Sequence, residues 1–179
     1  TPTRRAGSER GLAYEIIEIG AVKVSPAGEV TDEFSRIVRP TLAAGVSGFV
    51  HHLTGIGDED LAQARPFDAV LPEFLEWAGP GARMVTWSGM DRAQLEHECA
   101  AKGVDTTVLP QRWLDIQRIY PMLMGIRRRP VKLEEAATWC GIEFETSRAH
   151  RALYDAQLTA ELWRMMLAGD LKAQHDAIA

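Results

Sequence analysis

Residues 15–24 read EIIEIGAVKV, a run rich in β-branched side chains that predicts a strand over 14–24. Ser25-Pro26-Ala27-Gly28 is a turn sequence. Val30 to Val38 alternates apolar and polar residues as an antiparallel return strand does, closed by Arg39-Pro40. Residues 41–57 read as loop and contain Leu53-Thr54-Gly55-Ile56, and Asp58 to Gln63 predicts a short helix. Phe67, Val70, Leu71, Phe74 and Leu75 recur at helical spacing, with Pro72 near the start or at a kink, before Gly79-Pro80-Gly81 stops the helix. Arg83 to Trp87 predicts a short buried strand, and Asp91 to about Lys102 a helix stopped by Gly103. Trp113 to Ile116 is a further strand, leading into a helix broken near Pro121. Leu133, Ala136, Ala137 and Cys140 mark a helix ended by Gly141, and the last helix runs from about Leu153 to Leu167.

A hairpin followed by alternating helices and short strands predicts an α/β domain with a mixed sheet. The expected organisation is one domain over 1–169 and a fraying tail over 170–179, without repeats or low-complexity tracts. A chain of 179 residues can bury about 70% of its unfolded surface in one core. No apolar run approaches the ~20 residues of a membrane helix, and the polar, basic start carries no signal-type apolar stretch. Cys99 and Cys140 fall on apolar helix faces without zinc or disulfide spacing, so they are expected to be reduced core residues of a cytoplasmic protein. The net charge of −5 argues against a broad polyanion-binding surface. It leaves room for a small nucleic-acid site bridged by metal ions. Basic residues gather at Arg127-Arg128-Arg129, Lys132, Arg148 and Arg151, either as a solvated loop or as a phosphate-facing patch.

His150 and Asp155 carry the most specific chemistry. On one helix, residues five apart point about 140° away from each other. His150 is therefore expected in the loop before the last helix and Asp155 in its first turn, on the stripe that continues through Leu158 and Leu162. A carboxylate on that stripe needs hydrogen bonds, a counter-charge or a metal. A loop histidine nearby, with an ordinary pKa of about 6.5, suits a proton acceptor at neutral pH. The structural alternative is a helix cap beside an unremarkable histidine. Asp91 lies just past the C-terminal end of a predicted strand, where open α/β sheets place their sites, although Gln94 three residues on also resembles a capping box.

In order and spacing these segments resemble the DEDDh family of 3′–5′ exonucleases, which use the RNase H-like fold. EIIEIGAVKV resembles the family's second strand, and Phe34 with Val38-Arg39-Pro40 its third strand and exit. Leu53-Thr54-Gly55-Ile56 is similar to the LTGI segment near the terminal nucleotide. Thr86-Trp87-Ser88-Gly89-Met90-Asp91 resembles the second motif, particularly in the histone-mRNA and small-RNA exoribonuclease branch, and His150 to Asp155 matches the H-x4-D third motif. The resemblance covers residues 14 to 167.

It implies a mixed central sheet flanked by helices and removal of nucleotides from the 3′ end of single-stranded nucleic acid, with RNA slightly favoured. It also implies two Mg²⁺ or Mn²⁺ ions held by four carboxylates, two of them Asp91 and Asp155. His150 would act as general base. Arg148 and Arg151 would lie near phosphate, and Leu53 and Thr54 against the 3′ nucleotide. The family's first motif, D-x-E on the central strand, belongs about fifteen residues before EIIEIG. Thr1 to Tyr14 shows no strand pattern and no aspartate, and its only acid is Glu9. The sequence is therefore expected to begin just after that motif, to lack the first central strand, and by itself to be nearly inactive and poorly stable. A non-catalytic nucleic-acid-binding or regulatory module is the alternative, and a phosphodiesterase of small nucleotides a third possibility. Oligomeric state stays open.

Overall fold

The EIIEIGAVKV run folds as two strands that break at Ile17, in a computed structural model that describes residues 2–4, 14–42, 45–126 and 129–171. A short strand β1 (Pro2–Arg4) pairs antiparallel with β2 (Tyr14–Ile16), in the register Pro2↔Ile16. No strand was expected before Tyr14, and β1 corrects that reading: three residues joined by backbone pairing are too few to show a side-chain pattern. β3 (Glu18–Val24) then pairs antiparallel with β4 (Val30–Arg39) across the Ser25–Gly28 turn. Because the run breaks at Ile17, Ile16 and Ile19 enter one core with Phe34, Val38, Phe67 and Phe74, while Ile17 joins Val50, Ile56 and Leu61 in another.

Residues 41–57, expected as loop, contain α1 (Gly48–Thr54). Ser47 caps it by accepting from the Val50 amide, and Gly55, at φ 72°, ends it. Only Val50 and Thr54 of this helix are buried, too short an apolar pattern to distinguish it from loop. α2 (Asp58–Gln63), β5 (Arg65–Pro66, parallel to the end of β4) and α3 (Phe67–Ala78) follow, with Pro72 inside α3 and not ending it. β6 (Arg83–Thr86) leads into α4 (Met90–Lys102), and β7 (Arg112–Asp115) runs parallel to β6. α5 (Tyr120–Leu123), α6 (Leu133–Trp139) and α7 (Ala152–Ala168) are the remaining described α-helices. Cys99 and Cys140 are buried and free, as expected. Leu171 lies within the expected tail, yet it is buried with Leu162 and Met165; 172–179 lie outside the described residues.

Among the described residues no strand joins β3 to β6. α7 packs on β3 and β4 and also reaches β6. Its first turn comes so close to β3 that a Cβ on Gly20 would stand 2.1 Å from the Leu153 nitrogen. Only glycine permits that approach, and it seats the start of the helix carrying Asp155 directly on the sheet.

Candidate active site

Asp91 and Asp155 come from different helices. Asp91 is the second residue of α4, which follows β6 across Trp87-Ser88-Gly89, and Asp155 lies in the first turn of α7. Gly89 is the α4 N-cap and no side chain caps it, so Asp91 does not form the capping box that Gln94 suggested. The two carboxyls share one electrostatic neighbourhood. Burial pushes Asp155 up to about 6, with Asp91 adding to the rise while the charge and backbone amide of His150 oppose it. Asp91 keeps an exposed edge, yet the protein packed around its carboxyl raises its pKa too, and Asp115 adds to that rise. His150 sits outside α7, exposed, at φ 64°, the one non-glycine residue at positive φ among those described. The loop position expected for His150 and the first-turn position expected for Asp155 are both observed.

Sequence reasoning did not single out Asp115. It ends β7 opposite Thr86, a Cβ on Gly89 would stand 3.5 Å from its Oδ2, and its buried Oδ1 has no hydrogen-bond partner among the described residues. The available signal was its position at the C-terminal end of a parallel strand, the same rule that flagged Asp91. Glu15 and Glu18 are fully or almost fully buried and already committed. Glu15 accepts from the Thr41 and Leu42 amides and pairs with Lys102, which also pairs with buried Glu98. Glu18 pairs with Arg151 and accepts from the Ala152 amide. Neither glutamate is placed to substitute for a first-motif ligand, and Glu9 lies outside the described residues.

The predicted substrate contacts divide. Leu53 is half-buried near the end of α1. Thr54 is 5% exposed, and its hydroxyl donates to the Val50 carbonyl and accepts from the Ile56 amide, so it holds the turn and offers no free hydroxyl to a nucleotide. Arg151, expected near phosphate, is instead forked onto Glu18. Arg148 is exposed, bonded to Glu145 and Gln157, with its guanidinium over the Tyr154 ring. Of the basic cluster, Arg129 pairs with Glu135 and Lys132 with Glu134, while Arg127 and Arg128 lie outside the described residues. Trp87 donates to the Val131 carbonyl and packs edge-on against Tyr120, a structural use of the tryptophan that marks the second motif. Met90, beside Asp91, and Phe49, on α1, expose 75% and 72% of their surface.

The aspartates suit a hard divalent cation. They offer carboxylate oxygen, Asp91 raises the pKa of Asp155 as Asp115 raises that of Asp91, and the buried Asp115 oxygen without a hydrogen-bond partner among the described residues adds negative character that a cation relieves. Among the described residues no three His, Cys, Asp or Glu side chains converge on one ion, so the pair supplies part of a ligand set.

Against protein-family models, residues 12–163 match the RNase T-type exonuclease domain. The chain belongs to the exonuclease family. Among curated relatives, zebrafish ERI1 exoribonuclease 2 is 33% identical over 176 residues, covering 86% of this chain and 31% of that protein. A PolC-type DNA polymerase III from Caldanaerobacter subterraneus is also 33% identical, with 86% of this chain and 10% of that protein covered. The chain thus spans about a third or less of the length of these exonuclease-family relatives. The nuclease domain of 3′hExo, a DEDDh family member bound to rAMP, has the same fold, with a TM-score of 0.83 at 24% identity over 96% of this chain and 90% of that one. The H-x4-D arrangement of His150 and Asp155 accords with the histidine-type branch of the exonuclease family.

Proposed function

We propose that the protein is a divalent-metal-dependent 3′–5′ exonuclease acting on single-stranded nucleic acid, preferentially RNA. The observation that carries this is the pairing of two desolvated carboxyls, Asp91 and Asp155, the first raising the pKa of the second, with His150 beside Asp155. The RNA preference is supported by relatives named as exoribonucleases and by a fold relative solved with a histone mRNA stem-loop. Asp91 and Asp155 would hold Mg²⁺ or Mn²⁺. When bound, such ions lower the pKa of water and neutralise charge on a phosphodiester.

The chain's own residues do the rest. Exposed His150 would take a proton from the attacking water, a role commonly worth about 10²–10⁴ in rate. The Asp155 carboxylate accepts from the His150 amide and ties base to ligand. Arg148, exposed but bonded to Glu145 and Gln157, would reach phosphate only by leaving those partners, and Leu53 and Met90 would supply apolar surface for a base. One observation favours the non-catalytic reading: the described residues bring together two aspartates where two ions need more ligands.

The test compares the full-length protein with its Asp91→Asn variant on single-stranded RNA, single-stranded DNA and a chromogenic thymidine phosphodiester, with Mn²⁺ or chelator. Mn²⁺-dependent release of mononucleotides, fastest from RNA and lost in the variant, is expected. Binding without hydrolysis establishes the non-catalytic module, and turnover of the chromogenic ester alone establishes the small-nucleotide phosphodiesterase.

A further inference from the structure

Glu18 lies on β3, 3% exposed, and its carboxylate meets the H-x4-D loop 133 residues away. Arg151 donates to it through Nη2 at 2.9 Å and Nε at 3.2 Å, and the Ala152 amide donates at 2.7 Å. Arg151 is the N-cap residue of α7 and its side chain makes no cap hydrogen bond, so Glu18 caps the helix from across the fold. Two residues along the same strand, Gly20 leaves room for the Ala152–Leu153 backbone.

The other side of the loop is tied down separately. The Glu145 amide donates to the Tyr154 hydroxyl at 2.7 Å, and Arg148 bonds to Gln157 at 3.2 Å. His150 lies between these two fastenings in a left-handed conformation that non-glycine residues seldom adopt.

We infer that Glu18 is a positioning residue for His150: by fixing Arg151 and Ala152 to the sheet, it holds the histidine backbone in the left-handed conformation that presents the imidazole beside Asp155. Nothing else described binds both the side chain of Arg151 and the first amide of α7. A buried carboxylate suits the task because it meets a fork-shaped guanidinium and a helix N-terminus at once. Without it, the loop is free to relax to an ordinary conformation and carry the imidazole off its target. The inference rests on the proposed general-base role of His150.

Glu18→Gln keeps the shape and one acceptor oxygen for the Ala152 amide but removes the charge that pairs with Arg151. In the full-length protein, with Mn²⁺ and single-stranded RNA, kcat is expected to fall about 10–100-fold while KM stays within about twofold, the pattern of an interaction lost in the chemical step. In a His150→Ala background the same change is expected to cost less than about twofold, because a residue that acts through His150 has nothing left to position. Arg151→Lys keeps the charge and loses the fork, and serves if Glu18→Gln does not fold; it is expected to lower kcat by a smaller factor at unchanged KM.

An equal loss from Glu18→Gln in both backgrounds makes Glu18 merely structural and overturns the inference. So does a raised KM with unchanged kcat in Arg151→Lys, which would place Arg151 on phosphate. If the wild-type protein hydrolyses nothing, the exonuclease reading fails and the positioning role falls with it. An active wild type with an unaffected Glu18→Gln variant sinks the inference alone.

Discussion

Asp155→Asn separates the electrostatic cost of the site from its use. In the folded chain burial lifts the Asp155 carboxyl from an ordinary value of 3.8 to about 6. The folded state therefore binds this proton more tightly than the unfolded state, and stability falls as pH rises from about 4 to about 6, staying reduced above that. At 1.36 kcal/mol per tenfold change in proton affinity the full cost approaches 3 kcal/mol, and partial exposure reduces it to about 1–3 kcal/mol. Asparagine removes the charge and keeps an oxygen for the His150 amide. Metal-free melting at pH 7.5 should therefore rise by roughly 2–10 °C in the variant, with the two proteins converging near pH 4. Mn²⁺ should stabilise the wild type by mass action and leave the variant nearly unmoved. Melting curves from pH 4 to 8, with and without Mn²⁺, decide it. A variant less stable than wild type at pH 7.5, or one that Mn²⁺ stabilises equally, refutes the assignment of Asp155 as a desolvated metal ligand.

Gly20→Ala places a Cβ 2.1 Å from the Leu153 nitrogen, so α7 must shift; a loss of about 1–3 kcal/mol in urea unfolding is expected, with kcat falling more than stability explains. Lys102→Ala strands the buried carboxylates of Glu15 and Glu98 and should cost about 3–5 kcal/mol in the same assay, whereas a change below about 1 kcal/mol would show that the cluster is solvated. His150→Ala should lower kcat by about 10² or more while calorimetry finds Mn²⁺ affinity unchanged; a matching loss of affinity would make His150 a ligand and not a base.

Much of the fold is legible because its pattern is local. The Val30 return strand, the α3 stripe of Phe67, Val70, Leu71 and Phe74, and α7 with Leu158 and Leu162 each follow from hydrophobic period and stop signals. The break at Ile17 is not legible, because β-branched residues continue through it and tertiary packing alone decides which core each isoleucine enters. β1 and α1 escape for lack of length. The loop position of His150 and the first-turn position of Asp155 follow from their spacing, and Asp91 from its place past a strand end, while their roles rest on the family resemblance. Three features depend on side chains far apart in sequence: the Glu18–Arg151 fork, the Glu15–Lys102–Glu98 cluster and the nearness of Asp115 to Gly89. The same distance explains why Arg151 reads as a phosphate contact in the sequence: its neighbours there are His150 and Arg148, and Glu18 is invisible from them.

The central claim is that these residues serve stepwise hydrolysis from a 3′ end. It is tested most directly by incubating 5′-labelled single-stranded RNA with the full-length protein and Mn²⁺ and resolving the products by size. The account predicts a ladder that shortens one nucleotide at a time from the 3′ end, abolished by chelation and by Asp91→Asn. Binding without shortening, cuts at internal positions, or a ladder that survives Asp91→Asn would contradict it.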